Sequence, residues 1–244
     1  MNLVVDIGNT LVKVFFFEGR KMSFSQQIES AQKMKLFSIL NRDHNIEKTI
    51  ISSVIELNNG FYDKLRSYSG QVVILDEYTK LPITNKYETK NTLGKDRIAA
   101  AVGAHTIFPE TNVIAIDLGT ALTIDFISEK GEYLGGNISP GLSMRFKALN
   151  DNTSKLPLLS KNDEFPLLGK NTNEAIVAGV QNGIIFEIDN YISEFKSKYS
   201  DLKVILTGGD SFFFAHKLKN RIFAEPFLTA IGLNRILEYN VEQI

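Results

Sequence analysis

Residues 2–10 read Asn-Leu-Val-Val-Asp-Ile-Gly-Asn-Thr, and residues 112–120 read Asn-Val-Ile-Ala-Ile-Asp-Leu-Gly-Thr. Each is a short apolar run rich in β-branched residues, the pattern of a buried strand, and each ends in Asp-x-Gly with small polar residues around the turn. A second strand pattern follows in both places. In the first copy it runs from Leu11 to Phe17 and turns at Glu18-Gly19-Arg20; in the second it runs from Ala121 to Ile127 and turns at Ser128-Glu129-Lys130-Gly131. Two hairpins of one design imply two related α/β halves joined near residue 110, where Pro109 and Thr111 punctuate the chain. The expected division is therefore 1–111 and 112–244.

Working outward, helical spacing covers Leu93 to Phe108, Asn173 to Lys196, Ser211 to Leu218 and Ala230 to Tyr239. Strand-like runs recur at Lys48–Ser53, Gln71–Leu75 and Lys203–Thr207. Strands alternating with helices predict an α/β class.

Composition removes several function classes. With Lys plus Arg at 27 and Asp plus Glu at 28, the net charge of −1 offers no broad attraction for nucleic acid or an anionic membrane. Cysteine is absent, which excludes disulfides, thiolate nucleophiles and Cys-ligated metal. His44, His105 and His216 lack ligand spacing and read as surface or packing residues. No stretch approaches the about 20 apolar residues that span a bilayer. No signal-peptide pattern follows Met1, so the expected setting is cytoplasmic.

Several motifs can carry chemistry. In Asp6-Ile7-Gly8-Asn9-Thr10, with Lys13 beyond, a glycine-containing turn can aim backbone N–H groups at phosphate oxygens. A carboxylate at the strand end can orient Mg²⁺, and Lys13 can neutralise phosphate charge. The same residues also suit a plain hairpin turn, but their near-repetition at Asp117-Leu118-Gly119-Thr120 favours paired phosphate loops. Thr207-Gly208-Gly209-Asp210 joins a buried strand to a helix that Asp210 could cap, and fits either an adenosine contact or an ordinary turn. Phe15 to Phe17 and Phe212 to Phe214 read as core.

Gly94-Lys95-Asp96-Arg97 opens the Ala-rich helix. Asp96 in the first turn suits the macrodipole, whereas Arg97 beside it does not, which points to a substrate pair. Gly135-Gly136-Asn137-Ile138-Ser139-Pro140-Gly141 reads as a loop, and Gly169-Lys170-Asn171-Thr172 leads into a long helix that Thr172 could cap. No P-loop, nucleophile elbow or protein-kinase motif is present.

The order Asp-x-Gly-Asn-Thr, Asp-x-Gly-Thr-Ala-x-Thr, Thr-Gly-Gly-Asp resembles the phosphate-1, phosphate-2 and adenosine motifs of the acetate and sugar kinase, heat-shock chaperone and actin superfamily. Within it, the segments at 94–97, 135–141 and 169–172 resemble those of type III pantothenate kinases. The resemblance spans Asp6 to Asp210. It implies two ribonuclease H-like halves, an actin-like duplication, flanking a nucleotide cleft. It implies transfer of the ATP γ-phosphoryl group to the 4′-hydroxyl of pantothenate, with Asp96 as general base. Tyr87, Gly94, Lys95, Asp96, Arg97 and Thr172 match substrate positions. Asp6, Ile7, Gly8, Asn9, Thr10, Leu11, Val12, Lys13 and Thr120 match ATP contacts, and Asp117 matches the site of a monovalent cation, K⁺ or NH₄⁺, required beside Mg²⁺. A homodimer is implied, with no nucleic-acid or membrane partner. The chain departs from the family at Lys90, often Pro there, and at Lys95, often small. Two other readings accompany this one: a kinase for another small hydroxylated substrate, and an inactive relative acting as an accessory transcriptional regulator.

Overall fold

The computed structural model describes residues 1–40 and 45–241. Two compact units emerge, one of Met1–Ile107 with Leu228–Ile244 and the other of Phe108–Phe227. The division expected at residue 111 thus differs at the C-terminus, whose helix returns to the first unit. His44 lies outside the described residues.

The first unit contains β1 (Asn2–Ile7), β2 (Leu11–Glu18), β3 (Lys21–Glu29), α1 (Leu36–Leu40), β4 (Lys48–Ser53), α2 (Asn59–Arg66), β5 (Gln71–Ile74), the two-residue β6 (Thr84–Asn85) and α3 (Lys95–Ile107). The second has β7 (Val113–Leu118), β8 (Ala121–Ile127), β9 (Glu132–Pro140), α4 (Leu142–Asp151), α5 (Thr172–Lys198), β10 (Lys203–Thr207), α6 (Ser211–Ala215) and β11 (Phe223–Ala224). The chain then re-enters the first unit as α7 (Leu228–Val241).

Strand order exposes the duplication. In the first unit it is β3-β2-β1-β4-β5; in the second, β9-β8-β7-β10-β11 follows the same plan. In each, the first three strands pair antiparallel with one another and the last two join in parallel. A parallel join needs a crossover, and the intervening helical segments supply it. Odd-numbered β1 residues Leu3, Val5 and Ile7 and even-numbered β2 residues Val12, Val14 and Phe16 share one core with Phe37, Phe61 and Leu65. The opposite face buries Val4, Phe15 and Phe17, so the whole Phe15–Phe17 run is core, as read from the sequence.

Helix α7 packs on β1, β4 and α3. Its crossing with α3 is close because both contact points are glycine: a Cβ at Gly232 would collide with the Ala99 carbonyl, and one at Gly103 with the Leu228 carbonyl. A buried polar relay fixes the same helix. Asn2 donates to the Asn234 side-chain oxygen at 2.9 Å, and Asn234 donates to the Gly19 carbonyl at 2.9 Å.

In the second unit, α5 lays Ile176, Val180, Ile184, Ile188 and Ile192 against Ile114, Ile116, Ile124 and Leu206. The spacing of four residues makes that stripe continuous along one face of the helix. The segment 135–141, read as a loop, instead forms most of β9, with its register shifting between Phe126 and Ile127 on β8. Helix α5 starts one residue earlier than expected. Asn171 is its cap, accepting from Glu174 N–H at 3.0 Å, which leaves Thr172 as the first helical residue.

Candidate active site

In the first unit the Asp-x-Gly turn is tight: Gly8 N–H donates to the Leu11 carbonyl at 2.9 Å. Ser30 braces it, its hydroxyl donating to the Gly8 carbonyl at 2.7 Å and its N–H to the Thr10 carbonyl at 2.9 Å. Asn9 and Thr10 are exposed at the tip. Ile7 and Val12 are wholly buried, so of the predicted ATP contacts these two can offer only backbone.

Asp6 stands opposite Lys13 on one side and opposite Ser52 on the other. Residues directly opposite across a ladder share one face of the sheet. Burial pushes the Asp6 carboxyl above its ordinary value of 3.8; Lys13 pulls it back, the negative charge of Asp96 pushes it further up, and the Ser52 hydroxyl lowers it. Two carboxylates thus sit close enough to repel, with one lysine between opposing tendencies. Ser52 was not among the predicted residues. Its role depends on the parallel β1–β4 register, which no local pattern at Lys48–Ser53 reveals.

Asp96 lies in the first turn of α3, exposed, with Oδ1 accepting the Arg97 N–H at 2.8 Å. The carboxylate lies over the helix end because Gly94 leaves room: a Cβ there would stand 2.5 Å from Asp96 Oδ1. Lys95 turns away and donates from Nζ to the Ser53 carbonyl at 3.2 Å. Arg97 is buried, with its guanidinium 5.7 Å from the centre of the Tyr87 ring. The first unit therefore brings together Asp6, Lys13 and Asp96, and separately couples Arg97 to Tyr87.

The second unit repeats the arrangement with different side chains. Asp117 stands opposite Thr123 and Thr207, the counterparts of Lys13 and Ser52. Its turn closes with Gly119 N–H on the Ala121 carbonyl at 3.1 Å, and Thr120 is exposed at the tip. Gly208, at φ +93°, lies against this turn: a Cβ would come within 2.5 and 2.6 Å of the Leu118 C and N, and closer still to Asp117 Oδ1. Asp210 N–H donates to the Leu118 carbonyl at 3.0 Å. The phosphate-2 and adenosine motifs are thus packed on one another.

Asp210 occupies the cap position of α6 without capping it. Its carboxylate instead meets Lys161 Nζ at 2.7 Å. That lysine belongs to the long segment before α5, which Gln181 holds down by accepting from Asn162 N–H at 2.8 Å and donating to the Asn162 carbonyl at 2.9 Å. Neither Lys161 nor Gln181 was singled out in the sequence. Thr172 is exposed at the start of α5. Phe214 is buried as expected, but Phe212 is 61% exposed. His216 is exposed and His105 half-buried.

The family model for type III pantothenate kinase matches residues 2–194. A type III pantothenate kinase of Bacteroides fragilis strain YCH46 is 46% identical over 240 residues, 98% of either chain. The chain belongs to the type III pantothenate kinase family. Solved structures agree on its architecture. A Campylobacter jejuni protein, described as a candidate Baf family transcriptional activator, matches with a TM-score of 0.65 at 24% identity, over 98% of this chain and 99% of that one. A Listeria monocytogenes protein, described as a candidate N-acetylmannosamine kinase, gives 0.53 at 12% identity over 99% of each chain. At such identities these two speak to the fold alone. With the repeated strand order they establish the two-domain actin-like fold for this member of the type III pantothenate kinases.

Proposed function

We propose that this protein transfers the γ-phosphoryl group of ATP to the 4′-hydroxyl of pantothenate, giving 4′-phosphopantothenate, the first step toward coenzyme A. The observation that carries the proposal is the Asp96 carboxylate, exposed, pinned by the Arg97 N–H, and close enough to raise the pKa of Asp6 on the phosphate turn. A general base needs that combination of fixed position and open access. Phosphoryl transfer otherwise asks the protein for positioning and charge neutralisation. The backbone of residues 6–13, the Lys13 ammonium and Thr120 serve the ATP phosphates. Tyr87, the Gly94–Arg97 segment and Thr172 orient the substrate, and Asp96 takes the hydroxyl proton as its oxygen attacks.

The residues present fit the cations of the reaction. Repulsion between Asp6 and Asp96 is what positive charge would relieve. Among the described residues no three carboxylates or imidazoles gather as a cage. A divalent ion at Asp6 would then take its remaining oxygens from phosphate and water, as Mg²⁺ ordinarily does. When bound, it neutralises charge on the transferring group. Asp117, with Thr123 and Thr207 opposite, offers the hard oxygen donors suited to K⁺ or NH₄⁺.

A homodimer is part of the proposal. The second unit exposes Leu134, Ile138, Met144 and Phe186, apolar side chains that a second copy of the chain could cover. Among the described residues no helix is long and apolar enough to cross a membrane, and the cytoplasm, which supplies ATP, is the setting proposed for the reaction.

Coupled ADP release, measured with pantothenate and with a panel of sugars and short hydroxy acids, tests the reading. Turnover should depend on pantothenate. Equal or faster turnover with another member of the panel would reassign the substrate.

A further inference from the structure

We infer that Lys95 is a positioning residue for phosphoryl transfer, tying the first turn of α3, and with it the Asp96 carboxylate, to the C-terminal end of β4. The inference rests on the reading of Asp96 as the base. Lys95 is the first residue of α3 and immediately precedes Asp96. A cation at a helix N-terminus faces the unfavourable end of the macrodipole, so a lysine there calls for a compensating contact. Among the described residues it forms no ion pair. Its half-buried side chain spans 42 residues of sequence to donate to the Ser53 carbonyl at 3.2 Å.

What it grips is the strand that flanks Asp6. Ser53 ends β4, Ser52 beside it pairs with Asp6, and the next residue, Val54, donates its N–H to the Ile7 carbonyl at 3.0 Å. The start of α3 is otherwise held by the Ile98 N–H on the Gly94 carbonyl at 3.2 Å and by buried Arg97 against the Tyr87 ring. Gly94 has no side chain to cap it, and the Asp96 carboxylate itself accepts one of the free N–H groups of the first turn, that of Arg97. Base and cap are therefore the same group, and the Lys95 tether fixes where that group stands relative to the phosphate turn. An ammonium committed to a backbone carbonyl is a poor candidate for a direct substrate contact, so this member of the 94–97 segment acts through its neighbour.

The test compares wild type, Lys95→Ala and Lys95→Arg in three readouts: kcat with pantothenate, ATP affinity by calorimetry, and amide hydrogen exchange across the first turn of α3. Misplacing a reactive group by about 1 Å can lower a rate about 10²-fold. The Ala variant should lose kcat by up to about that factor with unchanged ATP affinity and show faster exchange at the start of α3. Arg, which can still reach the carbonyl, should restore most of both. An unchanged kcat in an active enzyme overturns the tether and leaves the kinase reading standing. So does a loss of ATP affinity in step with kcat, which would make Lys95 a phosphate ligand. If wild type itself fails to turn over pantothenate, the kinase reading is what fails, and the exchange comparison alone decides the tether.

Discussion

Replacing Gly208 by alanine should unsettle the second unit, while the same change at Gly209 should not. At Gly208 the backbone sits at φ +93°, and a new Cβ would stand 2.5 and 2.6 Å from backbone atoms of Leu118 and nearer to Asp117 Oδ1. Holding an L-residue in a sparsely populated conformation costs about 1–3 kcal/mol. Forcing atoms into a packed site adds about 1–3 kcal/mol. Together these make about 2–6 kcal/mol, a large part of the about 5–15 kcal/mol that stabilises an ordinary protein. At about 2–4 °C per kcal/mol for a chain of this size, the melting temperature should fall by on the order of 10 °C. Gly209 supplies the control: a Cβ there meets nothing within 4 Å. Its alanine variant should melt within about 0.5 kcal/mol of wild type, and any weakening of ATP binding then reports lost backbone access. Calorimetric melts of the two variants with an ATP titration of each make the comparison. Equal melting temperatures for Gly208→Ala and Gly209→Ala would refute the steric argument.

Asp6→Asn should stabilise the nucleotide-free protein and abolish turnover. The raised Asp6 pKa means that the folded chain holds a proton the unfolded chain has released, so Asp6's contribution falls as pH rises from 3.8 through its folded value. The variant's gain in melting temperature over wild type should therefore be largest at neutral and alkaline pH and shrink as pH falls toward 3.8, read from paired melts. Gly94→Ala should push the Asp96 carboxylate off the helix end, lowering kcat with ATP affinity intact in steady-state and binding assays. Gln181→Leu strands the Asn162 N–H and carbonyl. At about 1–3 kcal/mol per unpaired group, it should lower the melting temperature and speed proteolytic nicking between residues 153 and 171.

The hairpins and their Asp-x-Gly ends were legible because strand periodicity and turn chemistry are local. What surrounds them was not. That Asp6 has Ser52 for a neighbour follows from a parallel pairing whose crossover separates the residues by tens of positions. The helical pattern near Ala230–Tyr239 was visible, but its return to Asn2 depends on a buried asparagine pair 232 residues apart. Strand β3 is less legible because it is mostly exposed and its apolar alternation, Met22, Phe24 and Ile28, is broken by Gln26. The glycines and proline of 135–140 argued for a loop, since those residues weaken strands; pairing with β8 overrode that preference. Asn171 and Thr172 are both good caps by type, and only the backbone shows that Asn171 takes the role. Lys95 reads as part of a substrate motif because the sequence places it between Gly94 and Asp96, and its hydrogen bond to the Ser53 carbonyl is tertiary.

The central claim is that Asp96 serves as the base for phosphoryl transfer to pantothenate, and one comparison addresses it. Single-turnover ADP formation with pantothenate, at matched ATP saturation, is measured for wild type and Asp96→Asn. Loss of a general base lowers the rate by about 10²–10⁴-fold, and the variant should show that loss with its fold and ATP binding retained. A variant that forms product at the wild-type rate would contradict the account.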